Sequence, residues 1–254
     1  MRLGLLGMAV LYAALPLAAY QAKQPKVKSK KEQEALMQVQ TAAQSNNPTA
    51  ELAAINNVLE NFADTEFKPQ LLTMAMGAAQ QTNDPAQVAT WAERIMDNDP
   101  NDVVARVTLA ETTSSQMREN DLDKAQNVKK VNDLAHKALD LMKSNTGSVP
   151  AGIPPDKWPD FQKELAARAW SAIAQADSVN KQYADEVASY KSALEIMPSS
   201  IITARLAKAY VNNKQYDAAI AAADKAMAMA DASPQVKTFA QVQKDNAIKL
   251  KGAK

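Results

Sequence analysis

The sequence holds one histidine, His136, and no cysteine, which removes most of the side chains from which metal centres and nucleophilic sites are built. A structural or catalytic zinc ion takes three or four ligands, mostly Cys and His. His136 stands alone in the string AHKALDLM and reads as a surface or packing residue. Lack of cysteine also excludes disulfides, a thiol nucleophile, a covalently attached c-type haem and a lipid-bearing N-terminal Cys. No G-x-x-x-x-G-K-[ST], G-x-G-x-x-G or G-x-S-x-G string occurs, so no phosphate-cradling loop or nucleophile elbow is encoded. Two acidic groups, Asp97-Asn98-Asp99 and Asp121-Leu122-Asp123, have the residue type for calcium. Neither lies in a glycine-bearing calcium loop. Both fall at expected helix boundaries, where a carboxylate opening the next helix caps amides and faces the positive end of the dipole. The methionines at 74, 76, 96, 142, 197, 227 and 229 suit adaptable packing between helices better than a cofactor box. The expectation is a chain with no catalytic residues, no metal and no cofactor.

The elements that position the chain's side chains are helices. Ala, Leu, Met, Gln, Lys and Glu dominate the chain, all good helix formers, and glycine occurs only 6 times. No run alternates Val, Ile, Thr and aromatics as a half-buried strand would. Helix, turn and helix follow one another along the chain: Glu32 to Gln44 with Thr49 to Phe62, Leu71 to Gln81 with Val88 to Met96, and Val103 to Met117 with Leu122 to Met142. Pro48 and Pro85 suit the first turn of the second helix of their pairs, while Asp99-Pro100 marks a stop. The string ALDLM at 138–142 is echoed by ALEIM at 193–197.

The repeat is clearest in the C-terminal half. Trp170, Ile173 and Ala174 lie on one helical face, followed by Tyr190, Ala193 and Pro198. This resembles the tetratricopeptide pattern W-x2-L-G-x2-Y, A-x3-F, A, P, with the Trp-to-Pro separation kept. Two positions depart: Asp177 stands where Tyr is usual and Glu186 where a small residue is usual. The next unit places Leu206, Ala207 and Tyr210 on its first helix and Tyr216, Ala219, Ile220, Ala223 and Ala226 on its second. Between them runs the turn Asn212-Asn213-Lys214-Gln215, with Lys214 where glycine is common. Small residues let antiparallel helices approach closely, and large ones fill the space to the next helix. The resemblance spans roughly residues 32–232 and implies an all-α, right-handed α-solenoid of five stacked antiparallel helix pairs. Gln235 to Leu250 would cap the last pair. The domain reading is 32–143 for pairs 1–3, 161–232 for pairs 4–5 and 233–254 for the cap and tail. Between the halves, residues 144–160 form a Pro/Gly-rich loop carrying Trp158, with Phe161 just beyond. Its aromatics either tuck against neighbouring helices or form a binding loop or hinge.

A solenoid of this kind leaves a concave groove lined by first helices, fit for an extended peptide or a partner helix. The faces opposite the packing stripes select Thr108 and Glu111 from the third pair, Arg168, Ser171 and Gln175 from the fourth, and Arg205, Lys208 and Asn212 from the fifth. Three cations on adjoining helices are expected to hold a carboxylate or an acidic peptide. The resemblance thus implies a protein-binding scaffold or adaptor.

Charge and the N-terminus complete the reading. Residues 1–31 carry six basic and no acidic residues, leaving 23 basic against 28 acidic in the remainder. A mildly acidic body is a poor match for nucleic acid, since phosphate neutralisation needs clustered Lys and Arg. The apolar run Leu3 to Ala19, after Arg2 and with Pro16 near its end, has the form of a secretory signal peptide. Cleavage is expected after Ala19, or alternatively after Ala22. Residues 20–31 would be a basic disordered stem. The five lysines from Lys23 to Lys31 disfavour translocation of that flank and keep an uncleaved membrane anchor open. The expectation is a periplasmic or secreted scaffold for envelope or secretion machinery. The alternative is a membrane-anchored structural protein that self-associates.

Overall fold

The computed structural model describes residues 25–149 and 153–253. Among these residues the elements are α1 (Lys30–Gln44), α2 (Pro48–Asn61), α3 (Lys68–Gln81), α4 (Pro85–Asn98), α5 (Val103–Gln116), α6 (Lys124–Lys143), α7 (Trp158–Val179), α8 (Tyr183–Ile196), α9 (Ser200–Asn212), α10 (Tyr216–Ala228) and α11 (Pro234–Gly252). The one ladder contact among them is an isolated bridge between Asp102 and Ser148. The first residues of the helices explain where they start. Ser29, Asn47, Asp84, Asp102, Ser199 and Ser233 each accept a hydrogen bond from an amide of the first turn, satisfying donors that no helical carbonyl reaches. Pro48, Pro85 and Pro234 open their helices, where a missing N–H costs nothing.

The turns inside four of the five pairs repeat one conformation. Asn46, Asn83, Lys181 and Lys214 have φ of 51°, 56°, 62° and 60°, each between the last residue of one helix and the N-cap of the next. The left-handed residue reverses the chain within a three-residue connection. The third pair differs: residues 117–123 link α5 to α6 without such a residue, and Leu122 projects fully into solvent.

The helices stack in order. Each packs against its pair mate and against the next pair, and α5 also lies along α7, as α9 does along α11. The pair contacts are built from alanine: Ala174, Ala193, Ala207, Ala223 and Ala226 have no exposed surface. Ile55, Val58, Leu109, Val131 and Leu165 fill the wider spaces. The apolar core is continuous from α1 to α7, then divides into a smaller cluster over α7–α9 and another over α9–α11.

Two boundaries differ from the sequence reading. Helix α7 starts at Trp158 instead of after the Pro-rich segment, because Pro159 sits in the first turn, where its ring is tolerated. Trp158 is buried, with its ring 6.0 Å from that of Phe161, so the aromatics of this segment pack inward and are not presented as a binding surface. Lys30 and Lys31, assigned to the disordered stem, belong to α1. Ahead of them the Lys26 amide donates to Glu66 Oε2 at 3.0 Å, and Lys28 Nζ pairs with Asp64 Oδ2 at 2.8 Å. Lys26 and Lys28 therefore lie against the α2–α3 turn. Residues 1–24, which include the expected signal peptide and its cleavage site, and 150–152 of the loop lie outside the described residues.

Candidate interaction site

The eight groove candidates sit on α5, α7 and α9, which carry the first helices of the third to fifth pairs. Helices α5 and α7 meet through Glu111 and Arg168. Arg168 Nε donates to Glu111 Oε1 and Oε2 at 3.0 and 3.1 Å, its second terminal nitrogen reaches Oε2 at 2.5 Å, and Glu164 lies 3.9 Å away. This is a two-pronged guanidinium–carboxylate pair with both partners half-buried. Arg168 is thus spent on holding α7 to α5, and the expected convergence of three free cations is reduced to two. Thr108, also on α5, is 2% exposed and its hydroxyl finds no partner. It lies in the packing between helices, not on the rim.

Arg205, Lys208 and Asn212 share one face of α9 by their spacing. Arg205 donates to the Ser171 hydroxyl at 3.3 Å, bridging α9 to α7. Gln175 turns back on its own helix, donating to the Ser171 carbonyl at 3.2 Å. Asn212 donates to Glu186 Oε2 at 3.3 Å, and Lys208 is exposed with its charge near Glu186. Among the described residues, neither Arg205 nor Lys208 joins a carboxylate at ion-pair distance, in contrast to Arg168. The arrangement offers two cations and two amides along the α7–α9 surface, a chemistry suited to carboxylates.

Beneath that surface lie two acids that the groove criterion missed. Asp177 of α7 and Glu186 of α8 are 6% and 1% exposed. Ser189 donates to Asp177 Oδ2 at 3.0 Å. Burial pushes the Asp177 carboxyl up to about 6; the Ser189 bond opposes the rise, Asp185 adds to it and His136 opposes it. Burial also raises Glu186, against hydrogen bonds from Ser178 and Asn212 and the charge of Lys208, while Asp177 adds to the rise. Tyr190 between them is raised by burial, with Arg205 opposing. The available signal was that these two residues are the departures from the repeat pattern. A carboxylate standing where a Tyr or a small residue packs must either find donors or stay protonated.

The remaining singled-out residues are structural. His136 is exposed and meets Trp170 edge to face at 5.8 Å. Asp99 accepts from the Asn101 amide at 2.9 Å and Asp121 from the Arg118 amide at 2.6 Å, while Asp102 rather than Asp99 caps α5. No group of three or more His, Cys, Asp or Glu among the described residues is placed to hold a metal ion.

Paired antiparallel helices with alanine contacts, a shared left-handed turn and a stacked order define the class: the chain has the tetratricopeptide-repeat fold. It is similar to TTC0263, a thermophilic TPR protein of Thermus thermophilus, at 14% identity over 84% of this chain and 98% of that one, with a TM-score of 0.53. It is also similar to MamA residues 41 to the end from Desulfovibrio magneticus RS-1, at 14% identity over 79% and 96%, with a TM-score of 0.55. A further MamA structure matches at 11% identity over 77% and 90%, with a TM-score of 0.56. No family model matches the sequence, and no curated protein does.

Proposed function

We propose that this chain is a protein-interaction scaffold of the bacterial cell envelope that takes an acidic segment, or a chain-terminal carboxylate, against α7 and α9. The observation that carries this reading is the pair Arg205 and Lys208, two cations that among the described residues join no carboxylate at ion-pair distance, on one helix face beside Gln175 and Asn212. Arg168, Ser171, Glu111 and Thr108 then shape the surface without making the contact. Binding, not catalysis, is what this residue set supports. The envelope location rests on residues 1–19: export with cleavage gives a mature chain starting near Tyr20. Intact-mass analysis from an exporting host checks this, and Met1 retained in the membrane fraction would favour the anchor. Among the described residues no helix is long and apolar enough to cross a membrane.

The groove reading is tested by comparing wild type with the Arg205→Glu/Lys208→Glu variant in quantitative capture from envelope extract, with circular dichroism as the folding control. Each charge-assisted contact contributes about 1.5–3 kcal/mol, so the variant should lose its specific captures while keeping its helicity. Equal capture by both would contradict the groove. Self-association is the second reading, favoured by Val242, Ile248 and Leu250, which stay exposed on the terminal helix α11. Light scattering separates it, since a monomer over a wide concentration range would remove it.

A further inference from the structure

The seam between α7, α8 and α9 is built over two buried carboxyl groups. Asp177 and Glu186 are buried there with neutral donors, Ser189 at 3.0 Å and Asn212 at 3.3 Å. The apolar core also divides at this place: one cluster runs from α1 to α7, and the smaller α7–α9 cluster touches it through Trp170. The opposite end of the molecule supplies a contrast. Glu32 is 1% exposed, yet Thr65 donates to it at 2.6 Å and the Lys28 amide at 2.5 Å. Those bonds, the Thr65 hydroxyl first, hold the Glu32 carboxyl below its usual range. At Glu32 the hydrogen bonds outweigh burial, whereas at Asp177 and Glu186 burial outweighs the hydrogen bonds.

We propose that Asp177 and Glu186 act as a proton-operated catch on the last repeats: protonated, they close the seam between α7, α8 and α9, and ionised together they hydrate it and let α8–α10 open locally.

The groups facing the catch come from every helix around it. Asp177 faces Ser189, Asp185 and Glu186 of α8 and His136 of α6. Glu186 faces Asp177 and Ser178 of α7 and Lys208 and Asn212 of α9, while Arg205 bears on Tyr190 between them. The two acids oppose each other's ionisation, so the second proton leaves harder than the first. Both are raised by burial, and Asp177 lies at about 6. The sign follows: the folded seam binds protons more tightly than the open chain. Its stability is complete below the ordinary carboxylate range and is lost as pH rises through about 6. Arg205, Lys208 and Asn212 ride on α9, so the catch also sets whether they keep a fixed spacing to α7.

The catch goes beyond the groove reading, and its test needs no partner. Hydrogen exchange of the whole chain is measured at pH 5 and pH 8, at matched intrinsic exchange. Opening of α8–α10 should increase on the order of tenfold or more at the higher pH, with α3–α5 unchanged. In Asp177→Asn/Glu186→Gln the difference should vanish. Should that variant fold poorly, Asp177→Tyr/Glu186→Ala carries the test. It restores the residue types the repeat uses at these positions and should be protected equally at both pH values. A wild type without the difference, or a variant that retains it, overturns the catch.

Discussion

Lys214 holds a φ of 60° in the turn between α9 and α10, a conformation in which an L side chain crowds its own backbone by about 1–2 kcal/mol. Glycine has no such crowding but gains freedom in the unfolded chain. Lys214→Gly should therefore raise stability by about 0.5–1 kcal/mol, read as a higher denaturant midpoint; an unchanged or lower one would mean that the turn is relaxed. Gly147 presents the opposite case. A Cβ there would sit 2.7 Å from Val103 Cγ1 and 3.7 Å from Leu141 Cβ. Val103 is fully buried and stiff, so it has little room to yield. Gly147→Ala should destabilise by about 1–3 kcal/mol, and an unchanged thermal midpoint would show that the packing relaxes. The Lys214 turn was visible in the sequence as a substitution in a repeat pattern. The Gly147 contact was not, because it joins a loop to a helix start about forty residues earlier, with no periodicity to betray it.

At the scale of elements, periodicity and proline placement were enough to show the all-α repeat fold, since small-residue contacts and N-terminal prolines leave marks within a single repeat. Boundaries were harder. Trp158-Pro159 looked like the end of a loop and proved to be the first turn of α7, because proline is equally at home in both. Lys28 differs for a related reason: a lysine run reads as solvated, whereas Lys28 meets Asp64 across a turn, a partner 36 residues away. That latch predicts an outcome. Glu32→Ala removes the acceptor of Thr65 and the Lys28 amide, so trypsin should cut after Lys28 several-fold faster than in wild type, with the later helices unaffected. Equal rates would show that the stem is held without Glu32. The last pair offers a second check. Ala219 has no exposed surface, and Ala219→Trp should cost about 1–3 kcal/mol or more, loosening α9–α11. A wild-type thermal midpoint would contradict the packing assigned to that pair.

For the whole molecule, the sequence pointed to the concave side but not to how its charges are shared. Arg168 falls on the groove face by its spacing, yet it is bound to Glu111 from 57 residues away, and such a pairing depends on the stacking geometry of two repeats. Asp177 and Glu186 were noticed only as irregularities, although they lie under the same face as Arg205 and Lys208. What remains is a solenoid in which Arg205, Lys208, Asn212 and Gln175 lie along α7 and α9, the surface proposed above for a partner. The most direct test is site-specific photocrosslinking in the native host, with the reactive residue at Gln175 on the first helix α7 or at Lys191, exposed on the second helix α8. A discrete adduct is expected from position 175, lost in the Arg205→Glu/Lys208→Glu background, and none from position 191. Adducts from position 191 alone, or from position 175 unaffected by the two charge reversals, would contradict the assignment of the partner to this face.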